Sequence, residues 1–389
     1  MELLDSPIRD YAWGSRTVLA RLQGRPAPSP GPEAELWVGA HPAASSTLDG
    51  ENGPVSLAAA IAASPIGWLG AETVARFGTR LPYLLKLLAA DAPLSLQAHP
   101  DLARAQERFA AGDANYVDAN HKPELLVAIE PFEALCGFRD PSRSADALEA
   151  LGGPALAQVV GHLREGDLDE AVELLLTWPG DGADLVALVR GQDQPGGLFA
   201  EDLALVRRLA EHYPADPGVL VALLLNRVDL RPGDAVWMPA GNLHSYLRGV
   251  GVEIMAASDN VLRGGLTPKR VDVAELLQVL RFEVLTEPVV KPVEVAPGVS
   301  TWPVPVDDFA LHRVTGPAEL ALDGPVLALC TRGEVTIGDT TGVVSLTAGR
   351  AAVGPAGAGP LMIAGEGEVF VASVGQGPTA TTESVQRRG

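Results

Sequence analysis

Lysine is scarce in this chain of 389 residues: only Lys86, Lys122, Lys269 and Lys291 occur, and arginine supplies nearly all the other positive charge. Lysine and arginine together number 29 against 49 aspartates and glutamates, for a formal net charge of −20. Nucleic-acid backbones require a basic surface, so a general nucleic-acid partner is excluded. For any phosphate-bearing ligand the same imbalance means that a few cations must act locally against an unfavourable overall field. A lysine kept in so arginine-rich a chain hints at a place where the planar guanidinium would not serve. Cysteine is nearly absent. Cys136 and Cys330 lie far apart and form no CxxC pair, which excludes a disulfide framework and favours a reducing, cytoplasmic setting. No run approaches the roughly 18 uncharged apolar residues that a membrane helix needs. The opening Met1–Asp5 has neither the basic nor the apolar region of a secretory signal. What the chain does have is 47% hydrophobic residues and length for two or three domains with a large core.

The first 140 residues hold short apolar runs between prolines and glycines. Strands are expected at Ala34–Val38, Tyr83–Leu88, Leu94–Ala98 and Glu124–Ile129, and helices at Ser56–Ala63, with Ser56 as N-cap, and Leu102–Ala110. From about Ser142 to Tyr213 apolar residues recur with the helical period, in Ala145–Leu151, Ala155–Leu163, Leu168–Thr177, Ala183–Val189 and Asp202–His212. Strand patterns return at Gly218–Leu225 and dominate Asp234–Ser258, and Leu276–Leu280 closes a short helix. After Val289 many short valine-rich runs alternate with glycine turns. The fold class expected is mainly β with an α insertion. Its divisions are 1–141 with 214–288 as one domain, 142–213 as a helical insertion, 289–374 as a second β domain and 375–389 as a flexible tail.

An internal similarity bears on the architecture. Leu230-Arg-Pro-Gly233 is followed after five residues by Pro239-Ala240-Gly241, and Leu346-Thr-Ala-Gly349 after five by Pro355-Ala356-Gly357. Both read as turn, strand, tight turn, strand. The first copy leads to His244, and the second has Pro360 in that place. Gly-x5-Pro-x-Gly-x2-His resembles the second conserved motif of the cupins, which are antiparallel jelly rolls. The resemblance implies two jelly rolls, the C-terminal one degenerate and without its ligand.

Four segments carry residues able to do chemistry. In Leu94–Pro100, strand alternation puts Ser95, Gln97 and His99 on one face, and a polar inward face needs partners such as a metal with its water. In His121–Glu124 the charged groups stand at the mouth of an apolar strand, with Lys122 and Glu124 in the same parity. His244 follows a turn that fixes its direction. Gln97, His99, Glu124 and His244 together make a mixed nitrogen and oxygen set suited to Zn²⁺, though the same donors hold Mn²⁺, Fe²⁺ or Co²⁺. The fourth segment, Gly251–Lys269, carries Glu253, Asp259, Asn260, Arg263 and Lys269 on a strand and the polar turn after it, and its cations suit an anionic substrate.

Tyr11-Ala-Trp-Gly14, Glu35–Pro42, Leu94–Pro100 (LSLQAHP), Asn120–Glu124 (NHKPE) and Ala256–Lys269 (AASDNVLRGGLTPK) together resemble the type I mannose-6-phosphate isomerases over roughly residues 5–280. The last stretch is the most specific. The resemblance implies one Zn²⁺ held by Gln97, His99, Glu124 and His244. It places Arg263 at the active centre with Lys122, Glu253 and Asp259 lining the pocket, and Ser95, Lys86 and Lys269 at the phosphate. The stretch between Lys86 and Ser95, LLAADAPL, lacks the basic residues of other members. A monomeric enzyme acting on a sugar phosphate is implied, interconverting mannose 6-phosphate and fructose 6-phosphate through a cis-enediol(ate). For the base, Glu253, a metal-held hydroxide and His99 stay open, with a carboxylate near the metal placed first. An Fe²⁺ oxygenase or a sugar-binding cupin without turnover are alternatives. Neither accounts for both the Arg263–Lys269 cations and the intact ligand set.

Overall fold

The structure, a computed structural model, describes residues 1–50, 53–191 and 199–375. The tail expected at 375–389 lies, from residue 376 on, outside the described residues. Two antiparallel β-sandwiches of cupin type and a helical block make up the rest. In the first sandwich a long sheet runs in the order Val289–Val290, Ala235–Met238, Glu124–Ala128, His244–Ala256, Tyr83–Ala90, Glu35–Val38, Ile8–Arg9. Tyr83–Ala90 and Glu124–Ala128 are buried at every residue, which is why they read as continuous apolar runs rather than alternating ones.

The strand His244–Ala256 organises the site. Its beginning pairs with Phe132–Phe138 and with Gln97, and its end lies between Glu124–Ala128 and Tyr83–Ala90. It therefore belongs to both walls of the sandwich. Gly249 sits between these two regions at φ +135, where a Cβ would lie 2.6 Å from Phe132 Cα, so the bend requires glycine.

The second sandwich packs a seven-stranded sheet that includes Val326–Arg332 and Glu368–Ser373 against a four-stranded one that includes Glu334–Asp339 and Leu361–Gly365. The repeat seen in the sequence has the same geometry in both sandwiches. Gly233 and Gly349 take φ +95 and +76, Gly241 and Gly357 take +80 and +73, and a four-residue strand lies between each pair of turns. The edges of the two sandwiches are exchanged relative to the expected boundaries. Glu2–Leu4 pairs with Ala351–Gly354 in the second sandwich, and Val289–Val290 pairs with Ala235–Val236 in the first. Each short strand covers an edge that would otherwise expose unpaired backbone.

The helices Pro141–Gly152, Ala157–Glu165, Leu168–Leu176, Gly182–Arg190 and Ala200–His212 pack around a core of leucine, valine and alanine. The first is capped by Asp140, which accepts from the Ser142 N–H at 2.8 Å, with Pro141 at its first position. Two expectations are corrected. Gly218–Leu225 is not a strand: Gly218–Val221 is helical and Ala222–Leu224 a 3-10 turn. Every residue of that run is buried, and periodicity cannot separate a buried helix from a buried strand. Of Leu94–Ala98 only Gln97–Ala98 is strand. Leu94 and Leu96 instead donate singly to the carbonyls of Tyr246 and Gly265, both at 2.9 Å.

Candidate active site

The segments singled out above meet in one cavity of about 660 Å³ in the first sandwich. Of the candidate residues, all but His99 and Asn260 line it; Asn260 is fully buried, and His99 lies fully buried beside Glu124 and His244. Loop anchoring explains how distant stretches converge. The Asn260 amide donates to the carbonyl of Asn120 at 2.9 Å, and the Ser258 hydroxyl to the same oxygen at 3.1 Å. The loop before Arg263 is thereby tied to the turn before Glu124. Gln97 is the cross-strand partner of both His244 and Arg263, so these three side chains are immediate neighbours.

Hydrogen bonding assigns the imidazole tautomers. His99 Nδ1 lies 2.8 Å from the carbonyl of Asn260, and His244 Nδ1 lies 3.1 Å from that of Asn242. Carbonyls only accept, so each Nδ1 carries the proton and each Nε2 a lone pair. Both Nε2 atoms stand 3.3 Å from the same oxygen, Oε2 of Glu124. Burial pushes the His99 imidazole down to about 4, so it is neutral at pH 7, and its buried Nε2 has no hydrogen-bond partner. Burial would raise the Glu124 carboxyl, but the Lys122 ammonium, 2.9 Å from Oε1, holds it well below the ordinary range. Three lone pairs converging on one point repel one another unless a cation lies between them. The donor set therefore fits a divalent metal, with the Nδ1–H bonds orienting the ligands. Among the described residues this is the one such group of histidine, cysteine, aspartate and glutamate.

The cations differ in their surroundings. Lys86 is buried, 2.9 Å from Glu253 Oε2 and 3.6 Å from Glu35 Oε1, with its ammonium 5.4 Å from the centre of the Trp37 ring. Burial alone would lower its pKa, but Glu253, Glu35 and Glu124 raise it above its usual value. The other oxygen of Glu253 accepts from the Tyr246 hydroxyl at 2.6 Å. Arg263 is half-buried, with burial alone depressing its pKa. Lys269 is exposed at the rim beside Thr267. Neither has an acidic partner among the described residues. Asp259 is half-exposed, and its carboxyl is held below the usual range chiefly by His41 Nε2 at 3.2 Å.

Glu35, Trp37, His41 and Tyr246 were given no function in the sequence reading, where Glu35–Pro42 served only as a segment of the family resemblance. Parity was the available signal: Tyr246 is two residues from His244, and Trp37 two from Glu35, each pair sharing a strand face. His212 and Tyr213, at the end of the helical block, also line the cavity, and the Tyr213 hydroxyl donates to Pro93 O at 3.1 Å. The helices thus reach the site itself.

Fold and site together define a cupin-type protein whose sandwich encloses a cluster fit for a divalent metal, with cations in the same cavity that have no acidic partner among the described residues. A family model described as phosphomannose isomerase type I, catalytic domain, matches residues 1–141. The mannose-6-phosphate isomerase of Escherichia coli K12 is 37% identical, covering 95% of this chain and 98% of its own length. That of Bos taurus is 32% identical, covering 90% and 92%. Among solved structures, a mutant phosphomannose isomerase from Salmonella typhimurium superposes with a TM-score of 0.88 at 34% identity, over 97% of this chain and all of the other. A mannose 6-phosphate isomerase bound with zinc and yttrium gives a TM-score of 0.87 at the same identity and coverage. The chain belongs to the type I mannose-6-phosphate isomerases.

Proposed function

We propose that the chain interconverts D-mannose 6-phosphate and D-fructose 6-phosphate through a cis-enediol(ate), with one Zn²⁺ held by Gln97, His99, Glu124 and His244. The observation that carries this reading is the half-buried Arg263, without a counter-ion among the described residues, next to Gln97 and hence to the converging lone pairs of the cluster. When bound, the metal supplies Lewis-acid polarisation of a sugar oxygen.

The remaining work falls to the chain. The reaction takes the C2 proton of the open-chain aldose, returns a proton at C1 and shifts one from O2 to O1, so no atom is gained or lost. Arg263 and Lys122 stabilise the negative charge that develops on the oxygens. Glu253 is poorly suited as base, because both its oxygens accept strong bonds, from Lys86 and Tyr246. It serves to fix those two groups. Asp259 has one oxygen on His41 and the other without a protein partner among the described residues, and we assign it the proton transfer. Lys269 and Ser95, at the cavity wall, receive the phosphate. Lys86, engaged by two carboxylates, contributes to that end of the site only through its field.

The test is turnover of mannose 6-phosphate by the purified protein, with fructose 6-phosphate detected, run as isolated, after chelation and after adding Zn²⁺ back. Loss on chelation and recovery with zinc is the expected result. Folded, zinc-loaded protein with no turnover would overturn the assignment.

A further inference from the structure

We propose that His41 is a positioning residue for the isomerisation: its Nε2–H holds the Asp259 carboxylate against the cavity wall, leaving the second oxygen as an acceptor turned toward the sugar. The inference rests on the function proposed above and extends it to a residue outside the metal cluster and the cation loop.

Three contacts fix the imidazole. The Ala43 backbone N–H donates to His41 Nδ1 at 3.2 Å. A backbone N–H only donates, so Nδ1 is the unprotonated nitrogen and Nε2 bears the hydrogen. Asp259 Oδ2 lies 3.2 Å from that nitrogen. The ring stands edge-on to Trp37, with centroids 4.7 Å apart and an interplanar angle of 71°, and the residue is only 7% exposed. The carboxylate is fixed from its own side as well, since the Asp259 N–H donates to Asp118 Oδ2 at 2.9 Å.

What lies behind the pair gives the contact its purpose. A second cavity, of about 300 Å³, is lined by His41 and Asp259 and also by Arg80, Asp118 and Ser258. Asp259 thus stands in the partition between the two spaces. Released from His41, its side chain has room to rotate toward the second cavity and toward Arg80, away from the substrate. A residue that holds an acceptor in place for reaction changes turnover more than substrate affinity.

The experiment uses the full zinc-loaded chain. His41→Leu keeps the volume and removes the donor, while His41→Gln keeps an N–H at similar reach. We expect His41→Leu to lower kcat about 10- to 100-fold, a range seen for residues that orient functional groups indirectly, with KM within about twofold and zinc content unchanged. His41→Gln should recover most of the loss, and in an Asp259→Asn background His41→Leu should cost little more, because the two act as one unit. Equal losses from His41→Leu in both backgrounds, or no recovery with glutamine, would overturn the proposal. Should His41→Leu fail to fold, long-range nitrogen–proton NMR of the wild-type imidazole still decides: a proton on Nδ1 rather than Nε2 refutes it. Inactive wild-type protein would instead defeat the functional assignment itself.

Discussion

Lys86 and Arg263 show how the same charge takes opposite parts within one cavity. Lys86 is enclosed by Glu253 and Glu35, so its charge is spent inside the protein, whereas Arg263 carries a charge that no acidic side chain among the described residues answers. Removing one partner of a buried ion pair costs about 3–5 kcal/mol. Glu253→Ala should therefore shift the urea midpoint strongly, while Arg263→Ala should leave the midpoint nearly unchanged and lower kcat/KM about 10²- to 10³-fold. Comparable urea midpoints for the two variants would contradict this division. His99 adds a pH dependence. With the His99 pKa lowered from 6.5 to about 4, the unfolded chain binds a proton in that window that the native state does not, so stability rises with pH across it. Chelated protein should lose stability as pH falls from about 6.5 toward 4, as denaturant titrations will read directly. At this scale parity brought Ser95 and Gln97 to the cavity wall, but it did not hold for His99, which is fully buried behind that wall because only Gln97–Ala98 of the segment is strand. The sequence was not readable for His41 and Asp259, which lie more than 200 positions apart and meet only through the fold.

At the scale of elements, the legible parts were those with a clear period or clear bounds. The helices from Pro141 to His212 follow from apolar periodicity, whereas the fully buried strands Tyr83–Ala90 and Glu124–Ala128 were read from their strand length and flanking Pro and Gly rather than from any period. The run Gly218–Leu224 was not legible, because burial on all sides removes the pattern that distinguishes helix from strand. That helix has a specific contact with the cation loop: a Cβ on Gly218 would lie 2.7 Å from the Cα of Gly265, itself at φ +117. The following Leu266, at φ +53, is the one non-glycine residue with positive φ among the described residues. Its backbone is held there by the neighbouring packing, and such strain gathers at functional loops. Gly218→Val should push the loop outward, lowering kcat/KM by at least tenfold while the circular dichroism spectrum stays that of the wild type. Unchanged kinetics would show that the loop does not depend on this backbone contact.

Across the whole molecule, the two sandwiches share a core. Tyr83, Leu85 and Leu87 from the first pack with Trp302, Leu327 and Phe370 from the second, and the buried Tyr83 hydroxyl donates to Pro325 O at 2.8 Å. Two bodies joined through one apolar cluster should unfold together. A single calorimetric transition is expected, and a fragment ending at residue 288 should fail to give a cooperative melt. Two resolved transitions would separate the sandwiches energetically. The degenerate second copy, with Pro360 in place of a ligand, then persists as the other half of that core.

The pairing of Glu2–Leu4 with Ala351–Gly354 sets a condition on how this chain reaches its native state. This strand has its partner about 350 residues further along the chain, so the second sandwich cannot be completed until that later stretch has been made. Closing so long a loop is entropically costly and slow. In the interval the leading strand is an open edge, and the nascent chain depends on keeping that edge from pairing with a neighbour.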